Sequence, residues 1–153
     1  MAANTLPPNK KRRLILFLIL LVPMFSCVLW IGIPTHQNNQ RLHEFGQSLF
    51  KYPLPPDTVE GDRFSAISPP PGNGDKCYFT AEVVLTSKLS KEQIQAYYKD
   101  VTFPELRDKT AIVHKPISPE LFFNEDVPDK RWIEFIIRIQ DNENDFMADL
   151  RCW

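Results

Sequence analysis

The feature that most constrains this chain is a run of 20 residues, 14–33, without a charged side chain. Because an α-helix rises 1.5 Å per residue, such a run spans about 30 Å, the thickness of the hydrocarbon core of a bilayer. The apolar part of a secretory signal peptide is shorter, about 7–15 residues, and ends at small residues around a cleavage site. Here the run continues through Val28, Leu29 and Trp30. It therefore predicts a retained transmembrane helix, with Trp30 near the outer interface and Pro23 tolerated inside the membrane.

Cys27 leaves a second interpretation open. Ser26, a small residue, stands directly before it after an apolar stretch, which resembles the site at which bacterial lipoproteins are cleaved and lipidated. Met24 and Phe25 are bulkier than that pattern favours, and the apolar residues after the cysteine would be an unusual start for a mature lipoprotein. Lipidation at Cys27 is therefore the alternative to the retained helix.

Four basic residues, Lys10, Lys11, Arg12 and Arg13, precede the apolar run, whereas residues 34–40 contain no Lys or Arg. Positive charge stays on the cytoplasmic side of a membrane, so this asymmetry predicts a cytoplasmic N-terminus and an extracytoplasmic C-terminal part. The cluster also fits a nuclear-localisation patch, but its position directly before a membrane-length run favours a topology signal.

Length and charge limit what lies beyond the membrane. We expect a cytosolic N-terminus (1–13), a transmembrane helix (14–33), a stalk or linker with a short amphipathic helix (34–56) and one extracytoplasmic domain (57–153). The net charge is −1, and setting aside the four cations at 10–13 leaves −5 for the remainder. An acidic domain of this kind is a poor candidate for binding nucleic acid.

Two of the three cysteines, Cys77 and Cys152, fall on the side assigned to the exterior, where disulfides persist. Cys27 belongs to the apolar run. Two exterior cysteines with none to spare predict one disulfide, with two buried free thiols as the alternative. If both cysteines lie on neighbouring antiparallel strands, their sulfur atoms can meet.

The stalk carries a short apolar stripe, Leu42, Phe45 and Leu49, at helical spacing. Because the stripe is short and Gly46 weakens the helix, we expect it to pack onto the protein's own domain rather than onto another molecule. The proline-containing segment 51–58 should end the helix and begin the globular part.

A capping box and a hydrophobic staple mark one helix in the domain. Ser90 and Gln93 have the S-x-x-Q spacing of the capping box, and Leu89 and Ile94 have the staple spacing. They predict a helix over 91–101, whose apolar residues follow the period of a single buried face.

The rest of the domain has the pattern of β-strands. Alternation predicts strands at 63–68, 77–86, 110–114, 132–139 and 146–152, with a turn at 141–145 and one helical turn at 118–123. In the two clearest strands, Cys77, Phe79, Ala81, Val83, Leu85, Ile133, Phe135, Ile137 and Ile139 face inwards. The order β-β-α-β-β-β predicts an α+β fold, a two-layer domain with a mostly antiparallel sheet and one covering helix.

The sequence offers little chemistry. His36, His43 and His114 lack further ligands at a trusted spacing, so no metal or cofactor is expected. Asp141, Glu143, Asp145 and Asp149 match four positions of a calcium loop, but Phe146 and Cys152 occupy the positions of its essential glycine and glutamate. We expect a solvated turn there.

These observations favour a non-enzymatic, membrane-anchored protein that binds another protein at the outer face of the membrane. The expected binding surfaces are the sheet face or the loops 53–76 and 115–130, with Trp132 or Trp153 as a candidate anchor residue. The alternative is a small extracytoplasmic enzyme or ligand binder whose site the sequence does not reveal.

Overall fold

The computed structural model describes residues 8–69, 77–106, 116–124, 131–143 and 149–152. Its elements are helix α1 (Pro8–Phe50), strands β1 (Thr58–Ser68) and β2 (Cys77–Ser87), helix α2 (Lys91–Tyr98), strands β3 (Glu120–Asn124) and β4 (Ile133–Glu143), and a 3₁₀ helix (Leu150–Cys152). The four strands form one antiparallel sheet in the order β1-β2-β4-β3. The α+β class predicted from the sequence is confirmed.

Helix α1 joins two segments that the sequence assigned separately. The apolar run and the stalk form one helix of 43 residues, with Pro23 and Pro34 inside it. From Leu16 onwards it is long and apolar enough to cross a membrane. Large apolar side chains in this part are exposed, including Trp30 at 75%. Such a surface is stable only against another apolar phase.

The last turns of α1 belong to the core of the domain. Phe45 and Leu49 are buried, and Leu42 and Phe50 pack partly against them. These residues contact the inner face of the sheet, chiefly at β2 and β1. The expectation that the stalk stripe packs onto the protein's own domain is confirmed.

The inner face of the sheet supplies the rest of the core. The predicted inward residues of β2 are all buried, and β4 buries Phe135, Ile137 and Ile139. Ile133, at the start of β4, is half-buried. Since a strand side chain changes face at every residue, both strands present a second set of side chains to the opposite surface.

Helix α2 forms beside α1 over the same face. Ser90 accepts a hydrogen bond from the Gln93 backbone, and the Gln93 side chain accepts one from the Ser90 backbone, as the capping box predicts. The helix ends at Tyr98, three residues earlier than predicted, but Val101 and Phe103 are still buried. Two of the described helices therefore cover this face, α2 and the last turns of α1.

The helical turn predicted at 118–123 is wrong. Glu120–Asn124 is strand β3, paired with β4 along its whole length. The side chains alternate in exposure, and Phe123 stacks on Phe135 with ring centroids 5.8 Å apart. Sheet pairing therefore overrides the local helix-start signal at Ser118-Pro119.

The C-terminal predictions also need correction. The described part of the expected last strand, residues 149–152, holds a 3₁₀ helix, and Asp149 is buried. The first three residues of the predicted turn, 141–143, continue β4 because they pair with 77–79 of β2. The predicted strand 110–114 lies outside the described residues, as does the remainder of the turn.

Candidate functional site

The direction of α1 determines which end of the domain lies next to its apolar segment. Asn38, near the start of the packed part of α1, contacts the C-terminal segment that is bonded to the first residue of β2. At the C-terminal end of α1, the Phe50 carbonyl accepts a hydrogen bond from the Arg63 side chain. Arg63 is the β1 residue opposite Val83 in the sheet, and Val83 lies past the middle of β2. Helix α1 and β2 therefore run in the same direction, and Asn38 follows the apolar run by about 8 Å of helix.

At that end, a polar cluster joins α1 to the C-terminal segment. We call it the junction cluster; its members are Asn38, Asn39, Asp149 and Arg151. Asn38 Nδ2 donates to Asp149 Oδ2 at 2.9 Å, and Arg151 Nη2 donates to the same oxygen at 2.6 Å. Arg151 Nη1 donates to Asn39 Oδ1 at 2.8 Å. Neighbouring residues on α1 thus have opposite hydrogen-bonding roles, one as donor and one as acceptor.

Asp149 carries its charge at the centre of this cluster, 1% exposed. Hydrogen bonds from Arg151, assisted by one from Asn38, lower the pKa of this carboxyl to about 2, although burial acts in the opposite direction. The hydrogen bond to Asp149 in turn raises the pKa of Arg151. Asn38 Oδ1, in contrast, is buried and has no hydrogen-bond partner among the described residues.

The disulfide lies in the same region. Cys77 and Cys152 are bonded, with Cα atoms 5.1 Å apart, so the predicted pairing is correct. The geometry differs from the expected one, because Cys152 lies on the 3₁₀ helix and the neighbours of β2 in the sheet are β1 and β4. The disulfide attaches the C-terminal segment to β2, and the junction cluster attaches it to α1.

The second candidate site is the open face of the sheet, the face opposite α1 and α2. Residues that lie opposite each other on neighbouring strands form rows across this face, which we call rungs. One rung contains Phe64, Glu82, Arg138 and Glu120, and the next contains Val84, Ile136 and Phe122. Phe64 is 57% exposed and Phe122 is 43% exposed. None of the helices in the described ranges covers this face.

An ion pair lies at the centre of the open face. Arg138 Nε donates to Glu82 Oε1 at 2.5 Å, and the Arg138 guanidinium lies 4.5 Å from the centre of the Phe122 ring. The two partners belong to the two central strands. The two side chains are only partly exposed, Arg138 at 34% and Glu82 at 21%. Ion pairs open to solvent contribute about 0.2–1 kcal/mol to stability, so folding alone is a weak reason for these charges on a face that also carries apolar side chains.

The open face combines this pair with apolar side chains and a surplus of carboxylates. Val84 and Ile136 are half-buried neighbours on the central strands. Glu120 and Glu134 add negative charge, and Glu134 accepts a hydrogen bond from Asn124 at 2.7 Å. Exposed apolar residues together with an oriented charged pair are features of a protein-binding surface.

The remaining candidates from the sequence are the histidines and the carboxylates of the calcium-loop pattern. Within the described ranges, no group of three or more His, Cys, Asp or Glu side chains could hold a metal ion. His36 and His43 are exposed on α1, and the His36 ring contacts Gln40. His114 lies outside the described residues. Of the calcium-loop positions, Asp149 is occupied by its partners, and Asp141 accepts a hydrogen bond from the Leu106 backbone.

The aromatic residues of α2 form part of the core edge. Tyr98 is buried, and Tyr52 contacts it with ring centroids 6.2 Å apart. Tyr97 donates its hydroxyl to the Pro53 carbonyl at 3.0 Å, and burial raises the pKa of both α2 tyrosines. These contacts fix the segment that follows α1.

The residues of the predicted topology signal lie near the start of α1. Arg12 and Arg13 are exposed on α1, and Lys10 and Lys11 belong to the same helix. Cys27 is an exposed free cysteine within the apolar part of α1.

Of the two tryptophans considered as anchor residues for a partner, Trp132 is half-buried with the Lys88 ammonium 4.8 Å from its ring centre. Trp153 lies outside the described residues.

Sequence reasoning missed the junction cluster. The available signal was that Asn38 continues the stripe of Leu42, Phe45 and Leu49 towards the apolar part of α1, on the buried side of the helix. A polar residue in that position requires a buried partner. The partner, Asp149, is 111 residues away, and no local pattern indicates it.

The comparisons with known proteins add no family. No protein-family model matches the chain, and neither the search of curated proteins nor the search of solved structures found a match.

Proposed function

We propose that this protein is a non-enzymatic binding module, anchored by α1 in the cell membrane with its N-terminus in the cytoplasm, that binds a protein partner through the open face on the extracytoplasmic side. The observation that carries the proposal is a sheet face that no described helix covers, with exposed Phe64 and Phe122 around the Glu82–Arg138 pair. The domain that presents this face shares a continuous helix with the apolar segment.

Two further observations support the location. The basic residues before the apolar run favour a cytoplasmic N-terminus. The Cys77–Cys152 disulfide is typical of a domain in an oxidising compartment. Both support a domain on the extracytoplasmic side. Helix α1 is continuous from Leu16 to Phe50, so this domain would lie directly against the outer surface of the membrane.

Intact mass tests the anchor. The protein is extracted from its native membrane and weighed with and without reductant. A full-length chain that gains about 2 Da on reduction supports a retained helix and the disulfide. A lipid-bearing chain that begins at Cys27 would show that a lipid on this cysteine, and not a transmembrane helix, anchors the protein.

Chemical labelling tests on which side of the membrane the domain lies. Gln95, exposed on α2, is changed to Cys in a Cys27→Ser background and treated in intact cells with a membrane-impermeant maleimide. Rapid labelling places the domain outside. Labelling only after the membrane is permeabilised would place it in the cytoplasm and contradict the proposal.

Photo-crosslinking tests the binding surface. A photoreactive amino acid at Val84 on the open face is compared with the same group at Gln95, on the opposite side of the sheet. A discrete protein adduct from position 84, absent from position 95 and weakened by Phe64→Ala, supports the proposal. Equal adducts from both positions, or none from either, would contradict it.

A further inference from the structure

We propose that the partner on the open face is a second copy of this chain in the same membrane, bound face to face about a two-fold axis along the membrane normal. This inference rests on the proposed function, and it names the partner. A self-complementary arrangement of charges on the two central strands carries it.

Membrane insertion limits the possible symmetry. Two copies inserted in the same direction can be related by a two-fold axis only if that axis is parallel to the membrane normal. In such a dimer, equivalent residues lie at equal height, and the same patch is used on both copies. Because β2 runs alongside α1, the strands of both copies run roughly along that axis, which is the aligned mode of sheet packing.

The strand order then determines which residues face each other. The two central strands of the sheet are β2 and β4. A two-fold axis through the middle of the face places β2 of one copy opposite β4 of the other. Glu82 and Arg138 share one rung, so each Glu82 lies opposite the other copy's Arg138. The pair within one chain thus becomes a ring of four alternating charges.

The neighbouring rungs fit the same arrangement. On the next rung, Val84 of one copy lies opposite Ile136 of the other, which forms an apolar centre. The outer carboxylates meet uncharged partners, since Glu120 lies opposite Phe64 and Glu134 lies opposite Thr86. The surplus of carboxylates on the face therefore produces no direct contact between like charges.

The face is also of adequate size. Three strands of 11 residues and one of five, spaced about 4.8 Å apart, give a flat footprint of roughly 600 Å². Specific interfaces begin at about 600 Å² per partner. Confinement of both copies to one membrane raises their effective concentration, so a small interface is sufficient.

A charge exchange between copies tests the inference. Glu82→Arg leaves a chain with two guanidinium groups at the centre of the face, and Arg138→Glu leaves a chain with two carboxylates. In either variant alone, like charges would face each other across the interface. When the two variants are combined, every charge again meets its opposite in the other copy.

The measurement is homodimer adduct formation from the photoreactive group at Val84, in native membranes, between full-length copies that carry different tags. We expect a wild-type adduct of twice the chain mass, a decrease of about tenfold or more in each single variant, and recovery when the two variants are expressed together. Loss of folding in a variant cannot produce recovery in the mixture.

Other outcomes overturn the inference in distinguishable ways. An adduct with a different protein, unaffected by the mixture of variants, would leave the proposed function standing but exclude the second copy. A homodimer adduct of equal strength in both single variants would exclude this geometry. No adduct from position 84 would overturn both the inference and the proposed function.

Discussion

At the scale of single residues, the junction cluster assigns opposite roles to two neighbouring asparagines. Asn38 donates to Asp149, whereas Asn39 accepts from Arg151. Asn38→Asp would place a second carboxylate against a buried one and destabilise the fold by about 2–4 kcal/mol. Asn39→Asp would give Arg151 a charged acceptor, with an effect between zero and a stabilisation of about 0.5 kcal/mol.

Chemical denaturation of the full chain in detergent, followed by the near-ultraviolet signal of the domain, measures both variants. The two substitutions have identical chemistry at adjacent positions, so each controls for the other. Equal losses of stability would show that the two asparagines do not have the roles assigned here.

Asp149 also predicts how stability depends on pH. Its folded-state pKa of about 2 lies below the ordinary value of 3.8. Its contribution, about 2 kcal/mol, is therefore complete above roughly pH 5 and is lost as the pH falls through the folded-state pKa. Asp149→Asn should remove this component, so the stability of wild type and variant should converge between pH 5 and pH 2.

Unfolding free energies of the two proteins, measured side by side across that range, provide the test. The other carboxylates titrate in both proteins and cancel in the difference. A difference between wild type and variant that stays constant down to pH 2 would contradict the role assigned to this charge.

At the scale of elements, the sequence predicted what local contacts determine. The Ser90–Gln93 capping box and the alternation from Cys77 to Leu85 depend only on neighbouring residues, and the structure confirms both. The local pattern predicts a helical turn where β3 forms, because the identity of this strand depends on pairing with β4. The predicted inward residues of β2 and β4 leave Glu82 and Arg138 on the outer side of their strands. Their contact follows only from the β2–β4 register.

The C-terminal 3₁₀ helix is an element whose position depends on the disulfide. Closing a loop of 75 residues stabilises a domain by roughly 4–5 kcal/mol on the chain-entropy estimate. A chain with Cys77→Ser and Cys152→Ser should lose stability of that order. Its junction cluster should also weaken, so Asn38→Ala should cost less in that chain than in the wild type.

Denaturant unfolding of four chains measures this coupling. They are the wild type, the double serine variant, Asn38→Ala, and the chain that carries all three substitutions. Cys27→Ser is the matched control, because Cys27 is free and exposed in the apolar part of α1. It should leave stability unchanged. If the effects of the double serine change and Asn38→Ala add without coupling, the disulfide and the cluster act independently.

At the scale of the whole molecule, the sheet separates the anchor from the open face. Helix α1 packs on the inner face, and the Glu82–Arg138 pair lies on the other. In a face-to-face dimer, two sheets therefore stand between the two anchors. Each packed layer adds about 10 Å, so the two α1 axes should be about 30 Å apart.

This separation predicts where copies can be crosslinked within the membrane. Cys27 of one copy should not react with Cys27 of the other through a short bismaleimide, although both are exposed. Val84→Cys in a Cys27→Ser background should crosslink with the same reagent, because the central strands meet at the open face. Since α1 continues without interruption from Cys27 to the core residue Leu49, it would carry the separation set by the two sheets into its apolar part. Efficient crosslinking at Cys27 with none at position 84 would instead place the contact between copies along the membrane helices.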